Sequence, residues 1–135
     1  MPAADITLER TLPSCTESER AVLGAILLDE NAFPTAAELL SAEDFYDERN
    51  RQIHRAMLAL VEDERPVRTV LVLEELRRRN REEEAGGPAY LAGLTDGLPR
   101  VADIKHYAGS IKEMSCLRQT IQRCQDAIAR CYERE

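Results

Sequence analysis

The chain has 135 residues, with 18 basic and 25 acidic side chains, and its formal net charge is −7. This length suits a single domain that buries a core without disulfides or metals. No apolar run approaches the roughly 18 residues of a membrane-spanning helix, and residues 1–14 lack the pattern of a signal peptide. The negative charge argues against a domain that coats nucleic acid, because such domains are basic.

The acidic charge is concentrated in the first half of the chain. Residues 1–64 carry 5 basic and 14 acidic side chains, whereas residues 65–100 and 101–135 each have a net charge of +1. An acidic surface repels phosphates and attracts basic protein surfaces. Solubility alone also explains such a surface, so the charge by itself leaves both interpretations open.

The cysteines indicate a reducing compartment. Three of the four lie on the last predicted helix, at spacings of 8 and 7 residues, which are too wide for disulfides within one helix. The sequence has no zinc-ligand spacing and only two histidines, His54 and His106. We therefore expect a cytoplasmic protein that uses cysteine as a small apolar residue and binds no metal or cofactor through this chain.

The hydrophobic pattern predicts helices and no strands. Residues 1–13 have no clear period and are expected to form a flexible arm. Residues 14–100 are expected to form a compact helical body. Residues 101–135 are expected to form a long amphipathic helix, which makes about six helices in an all-α fold.

Capping signals predict where the first helices begin. Thr16 and Glu19 have the spacing of a capping box, in which each side chain accepts a backbone N–H. A short helix is predicted over residues 35–40. Asp47 is expected to cap a longer helix that ends near Glu62.

Further signals divide the middle of the chain. Thr69 is expected to cap a helix that ends in the charged run over residues 77–84. The stretch Gly86-Gly87-Pro88 is interpreted as a helix terminator. A short helix is then predicted from Ala89 to Leu94, followed by a turn.

The longest helical pattern lies in residues 101–135. Apolar side chains recur there at spacings of three and four, as in a coiled-coil seam with one exception. They are Ile104, Tyr107, Ile111, Met114, Leu117, Ile121, Cys124, Ile128 and Cys131. This stripe is longer than a small body covers, so it requires a second helix or another subunit. Because no glycine or proline ends it, we expect the natural chain to continue beyond Glu135.

Motifs of nucleotide-binding and hydrolytic sites are absent from the sequence. It contains no G-x-x-x-x-G-K-[ST], no G-x-S-x-G and no H-E-x-x-H. His54 has no orienting acid and nucleophile beside it, so it is interpreted as a partly buried or surface histidine. The basic run Arg77–Arg81 could contact a phosphate backbone, but the three glutamates that follow offset its charge.

Five short stretches occur in order along residues 13–121. They are ESERAVLGAILL at 17–28, EDFY at 43–46, Pro66-Val67 with EEL at 74–76, GGPAYL at 86–91, and the pattern of Ile104, Tyr107-Ala108, Ile111-Lys112-Glu113, Ser115 and Arg118. Each stretch is weak alone, but together they are specific. In this order and at these gaps, the sequence resembles the N-terminal domain of the bacterial replicative DNA helicase, the DnaB family.

The resemblance implies an all-helical domain that is separate from the ATPase motor. In the family these domains pair through a helical hairpin, form a collar of three dimers on the hexamer, and bind the C-terminal helicase-binding domain of primase. A helicase loader is a further expected partner. Residues 101–135 would be the first arm of the hairpin. ATP and magnesium are expected only in a motor domain absent from this chain, and neither direct DNA binding nor membrane association is expected of this one.

Two groups of residues are predicted to contact proteins. The dimer and hairpin interface is assigned to four positions on the long helix, namely Leu117, Ile121, Cys124 and Ile128. Primase docking is assigned to Glu17 on the first helix and Tyr90 in the GGPAYL stretch. The alternative for these two is an acid near a helix start and a core tyrosine.

Four positions depart from the family pattern. Asn50 stands where the family often has histidine, His54 where it has an aromatic residue, and Arg68 and Leu71 where it has an acid and a threonine. The predicted function is a non-catalytic assembly and primase-docking domain. The alternatives are a free-standing helical regulator that dimerises through its last helix, and a nucleic-acid-binding module that uses Arg77–Arg81.

Overall fold

The computed structural model describes residues 11–96 and 103–134. In these ranges the chain forms six α-helices and one 3-10 turn, with no strand. The helices are α1 (Thr16–Leu28), α2 (Ala32–Leu39), α3 (Glu48–Glu62), α4 (Thr69–Arg78), α5 (Gly87–Gly93) and α6 (Ile104–Glu133), and the 3-10 turn covers Ala42–Asp44. The prediction of an all-α fold with a long last helix is confirmed. None of these helices is both long and apolar enough to cross a membrane.

Part of the predicted division lies outside the described residues. This applies to residues 1–10 of the expected arm and to the turn at Gly97 and Pro99. Residues 11–13 are described and are not helical. The long helix begins at Ile104.

All six helices contribute to one core. On α1 and α3 the buried side chains recur at helical spacing and include Val22, Leu23, Ile26, Ile53, Met57 and Leu60. Full burial of a side chain of this size contributes about 1.5–3 kcal/mol. α6 packs against α1 and α2, and its Ala108 and Ile111 join the same core.

The predicted capping box of Thr16 and Glu19 is wrong. Cys15 precedes α1, and no side chain caps this end. Glu19 instead turns inward and is 1% exposed. Its carboxylate accepts the backbone N–H of Tyr46 at 2.6 Å and that of Asp47 at 3.2 Å. Glu19 therefore accepts the N–H groups of the chain that enters α3 and does not cap its own helix.

The other predicted caps have different outcomes. Asp47 caps α3 as predicted, because its carboxylate accepts the backbone N–H of Arg49 at 2.9 Å. At α4 the prediction is wrong by one residue. Arg68 occupies the cap position without a side-chain hydrogen bond, and Thr69 is the first helical residue.

The stretch Gly86-Gly87-Pro88 begins α5 and does not terminate α4. α4 ends at Arg78, before a turn in which Asn80 has a φ of 57°. Gly86 precedes α5 with a φ of 91°, a left-handed conformation that favours glycine. Pro88 lies in the first turn, where a missing N–H is tolerated. The terminator prediction was wrong because glycine and proline mark both ends of helices.

His54 is a core residue, and the prediction of a partly buried or surface histidine is wrong. It is 2% exposed, and its ring lies 5.6 Å from the Phe33 ring and 5.1 Å from the Phe45 ring. Neither ring nitrogen has a hydrogen-bond partner. Burial lowers the pKa of His54 from 6.5 to about 4, although the charges of Glu43 and Asp44 oppose the shift. The imidazole thus packs here as a neutral aromatic ring.

We expect the His54→Phe variant to be less sensitive to acid than the native chain. Native His54 stays neutral while the unfolded chain takes up a proton, so the free energy of unfolding falls as the pH drops from 6.5 to about 4. Between pH 7 and pH 5 this group accounts for about 2 kcal/mol. Urea denaturation at both pH values measures the difference. His106→Phe, at an exposed position of α6, is the control, and equal pH dependence in all three proteins would contradict the assignment.

We also expect Glu19→Ala to lower the free energy of unfolding by about 2–4 kcal/mol, because it leaves the buried Asn50 amide and two partly buried backbone N–H groups without an acceptor. Glu17→Ala, an exposed acid on the same helix, should change it by no more than about 0.5 kcal/mol. Urea denaturation at pH 7 compares the two. Similar losses in both variants would show that Glu19 has no special role.

Candidate protein-interaction surfaces

The four predicted pairing residues lie where α6 leaves the body. The last buried residue of this helix is Arg118. Leu117 is 44% exposed and Ile128 is 53% exposed, while Ile121 is partly buried and Cys124 is exposed. Their spacing places them on one side of the helix. The structure therefore brings them together as an uncovered apolar stripe, which is typical of an interaction surface.

The cysteines are free thiols. Cys15 is partly buried, whereas Cys116, Cys124 and Cys131 on α6 are exposed. The three on α6 therefore fill no apolar space within a single copy, and Cys124 and Cys131 lie in the predicted stripe. In residues 11–96 and 103–134, no group of three or more histidine, cysteine, aspartate or glutamate side chains is arranged to hold a metal ion.

A buried carboxylate anchors α6 to the 3-10 turn. Asp44 is 2% exposed, and it accepts hydrogen bonds from Ser115 Oγ at 2.7 Å and Lys112 Nζ at 3.3 Å. In its own turn it accepts the backbone N–H of Ser41 at 2.9 Å. Burial raises the pKa of Asp44, but these hydrogen bonds outweigh burial, and the pKa lies below its ordinary value. Asp44 is therefore ionised at neutral pH.

Arg118 forms the second link between α6 and the body. Its guanidinium donates to the backbone carbonyl of Asp44 at 2.7 Å and to that of Pro13 at 2.8 Å. It also lies over the Tyr46 ring, 5.3 Å from the ring centroid. Sequence reasoning found Ser115 and Arg118 only as landmark positions. Their role was missed because the groups that they bind lie far away along the chain.

Tyr90 packs across the start of α3. Its hydroxyl donates to Asn50 Oδ1 at 2.5 Å, and Asn50 Nδ2 donates to the buried Glu19 carboxylate at 2.9 Å. The guanidinium of Arg49 lies 4.1 Å from the ring centroid, and that of Arg20 lies 5.7 Å from it. Burial raises the pKa of Tyr90, while Arg49 opposes the shift. Asn50, a departure from the family pattern, thus bridges Glu19 and Tyr90.

Glu17 lies near the same surface. It is exposed in the first turn of α1, three residues before Arg20, and residues at this spacing are neighbours on a helix. Because Arg20 contacts the Tyr90 ring, both predicted primase residues border the end of the body where α1 and α3 begin. Glu17 is free to meet a partner, whereas Tyr90 already makes contacts inside the body.

The basic run Arg77–Arg81, at the end of α4 and in the following turn, is paired with nearby glutamates. Three of its arginines form such pairs within 2.7 Å, namely Arg77 with Glu82, Arg78 with Glu75 and Arg81 with Glu84. The two exposed pairs, Arg77 with Glu82 and Arg81 with Glu84, contribute little to stability, about 0–1 kcal/mol, whereas Glu75 is buried. The pairs do neutralise the field that would attract phosphates. The arrangement therefore disfavours the nucleic-acid-binding alternative.

Comparison with curated proteins identifies replicative helicases as relatives. The replicative DNA helicase DnaB of Geobacillus stearothermophilus is 38% identical over 132 residues, which is 98% of this chain and 29% of the relative. The replicative DNA helicase DnaC of Bacillus subtilis is 37% identical, and the match spans 97% of this chain and 29% of that relative. The replicative DNA helicase DnaB of Rhodothermus marinus is 40% identical, and the match spans 92% of this chain and 13% of that relative. The chain thus spans less than a third of these relatives.

Solved structures show the same fold. The crystal structure of the N-terminal domain of DnaB helicase from Mycobacterium tuberculosis matches with a TM-score of 0.86 at 30% identity, covering 90% of this chain and 85% of that chain. The N-terminal domain of DnaB helicase from Helicobacter pylori matches with a TM-score of 0.74 at 19% identity. This match covers 98% of this chain and 99% of that chain. Residues 11–113 also match the family model for this domain. The chain belongs to the DnaB-like helicase N-terminal domain family.

Proposed function

We propose that this chain is a non-catalytic assembly and primase-docking domain of a cytoplasmic replicative DNA helicase. The observation that carries the proposal is the uncovered apolar stripe of α6 on a domain of this family. The relatives are replicative helicases of more than three times this length. We assign unwinding, with its ATP and magnesium, to a motor domain outside this chain, and a place in the ring's collar to this one.

Pairing through α6 follows from the length of the free helix. None of residues 119–134 is buried, so this part of the helix continues from the packed part and gains no stability from tertiary packing of its own. A second apolar helix would bury Leu117, Ile121, Cys124 and Ile128. Each large side chain buried in this way contributes roughly 1.5–3 kcal/mol, so the stripe supports a stable dimer or hairpin.

Ile121→Glu should weaken self-association strongly, because it places a charge in the apolar stripe. Sedimentation equilibrium of the native and variant chains measures the effect. Gln122→Glu adds the same charge on an exposed position of the polar side and should leave association unchanged. An Ile121→Glu chain that associates as tightly as the native chain would contradict the proposed interface.

Primase docking is supported at the end of the body where α1 and α3 begin. The Helicobacter pylori domain was described together with its interactions with primase. In this chain Glu17 offers an exposed carboxylate, and the partly exposed Tyr90 ring lies among Arg20 and Arg49. Tyrosine and arginine are common anchors at interfaces. The C-terminal helicase-binding domain of primase is the partner that we propose, and a helicase loader is a second candidate.

Glu17→Lys should weaken binding of the primase C-terminal domain about tenfold or more, by reversing an exposed charge at the interface. Calorimetry measures the affinity, and Glu38→Lys on the exposed side of α2 is the charge-matched control. Tyr90→Ala should weaken both binding and folding, because Tyr90 also bonds to Asn50. Unchanged affinity in both Glu17→Lys and Tyr90→Ala would place the docking surface elsewhere.

A further inference from the structure

We infer that Arg118, together with Asp44, sets the direction in which the free half of α6, residues 119–133, leaves the body. This direction positions the apolar stripe for pairing. The part about pairing rests on the proposed function, whereas the part about direction concerns a single copy. Arg118 lies at the boundary between the packed and the free halves of the helix. In the described structure it is the last buried residue of α6, with 8% exposure.

Three side chains of α6 converge on one residue of the 3-10 turn. Lys112 and Ser115 bind the Asp44 carboxylate, and Arg118 binds the Asp44 backbone carbonyl. These three residues are spaced at i, i+3 and i+6, so they follow one side of the helix over two turns. Tilting or rotating the helix would break at least one of these hydrogen bonds. Apolar contacts are non-directional and do not impose this restriction.

Arg118 also connects two segments that are distant in sequence. One of its nitrogens donates to the carbonyl of Asp44 and another to the carbonyl of Pro13, in the chain that enters α1. A guanidinium is planar and holds its donors in fixed directions, whereas the ammonium of lysine is a single compact group. Lysine at this position would therefore keep the charge and lose the simultaneous hold on both carbonyls.

A small tilt of α6 at Arg118 displaces the far end of the helix by a large distance. Residues 119–133 extend about 22 Å at the rise of an α-helix. A tilt of about 10° at Arg118 would therefore move the tip of the helix by about 4 Å, close to the distance between neighbouring side chains on a helix. A change of this size would take the stripe out of register with a partner helix.

The direction of the helix is measured directly by the distance between two spin labels. The labels occupy cysteines introduced by Glu62→Cys at the end of α3 and Asp126→Cys on the polar side of α6, both exposed, with the four native cysteines changed to serine. Dilution with unlabelled chain restricts the signal to distances within one chain, and a protein concentration below that of self-association keeps the chains as single copies. We expect a narrow distance distribution for this background and a broader one after Arg118→Lys or Arg118→Met.

The control is Arg123→Lys, an exposed arginine on the free half of α6, which should leave the distribution narrow. Asp44→Asn keeps an acceptor for the Ser41 N–H and loses the ion pair with Lys112, so it should broaden the distribution to a smaller extent. This variant and Arg118→Lys keep the test valid if Arg118→Met fails to fold. Unchanged distributions in the folded Arg118 and Asp44 variants would overturn the inference.

Self-association of the same substitutions, made in the unlabelled chain with its native cysteines because Cys124 belongs to the stripe, tests the consequence for pairing. Arg118→Lys should raise the dimer dissociation constant about tenfold while the helical content of the domain is retained, and Arg123→Lys should not change it. Broader distances with unchanged association would overturn the link to pairing. A native chain that stays monomeric would overturn the proposed pairing, and the distance measurement would still decide the role of Arg118.

Discussion

Asp44 carries a negative charge in the interior of the protein, and such a charge is stable only where donors surround it. Its carboxylate takes donors from α6 and from its own turn, while its carbonyl holds Arg118. Glu19 has the same role at the start of α3, where it accepts two backbone N–H groups. The two carboxylates thus fix how helices meet, in a core whose apolar contacts have no preferred direction.

The anchor at Asp44 divides α6 into two halves with different surroundings. The first half is part of the body, through Ala108, Ile111 and the polar contacts of Ser115. The second half carries its apolar stripe into solvent. This division explains how a domain without catalytic motifs contributes to a helicase. Under the proposed function, the body would dock a partner and the directed helix would pair, so the contribution of the domain would be geometric.

Features that depend on local spacing were predicted well from the sequence. The hydrophobic periods predicted an all-α fold of about six helices, and Asp47 caps α3 as expected. Features that depend on distant partners were not predicted. Glu19 binds groups 27 and 28 residues away, and Asp44 binds Ser115 across 71 residues. Local capping signals therefore misplaced Glu19, and sequence periodicity gave no account of why Tyr90 contacts α3.

Hydrogen–deuterium exchange along α6, measured over a range of protein concentrations, tests the central claim of two unlike halves most directly. At low concentration, we expect slow exchange in residues 104–118 and faster exchange in residues 119–133, because only the first half is held by the body. Raising the concentration should slow exchange in residues 119–133 alone, as a second copy covers the stripe. Exchange in residues 119–133 that is independent of concentration would contradict the account.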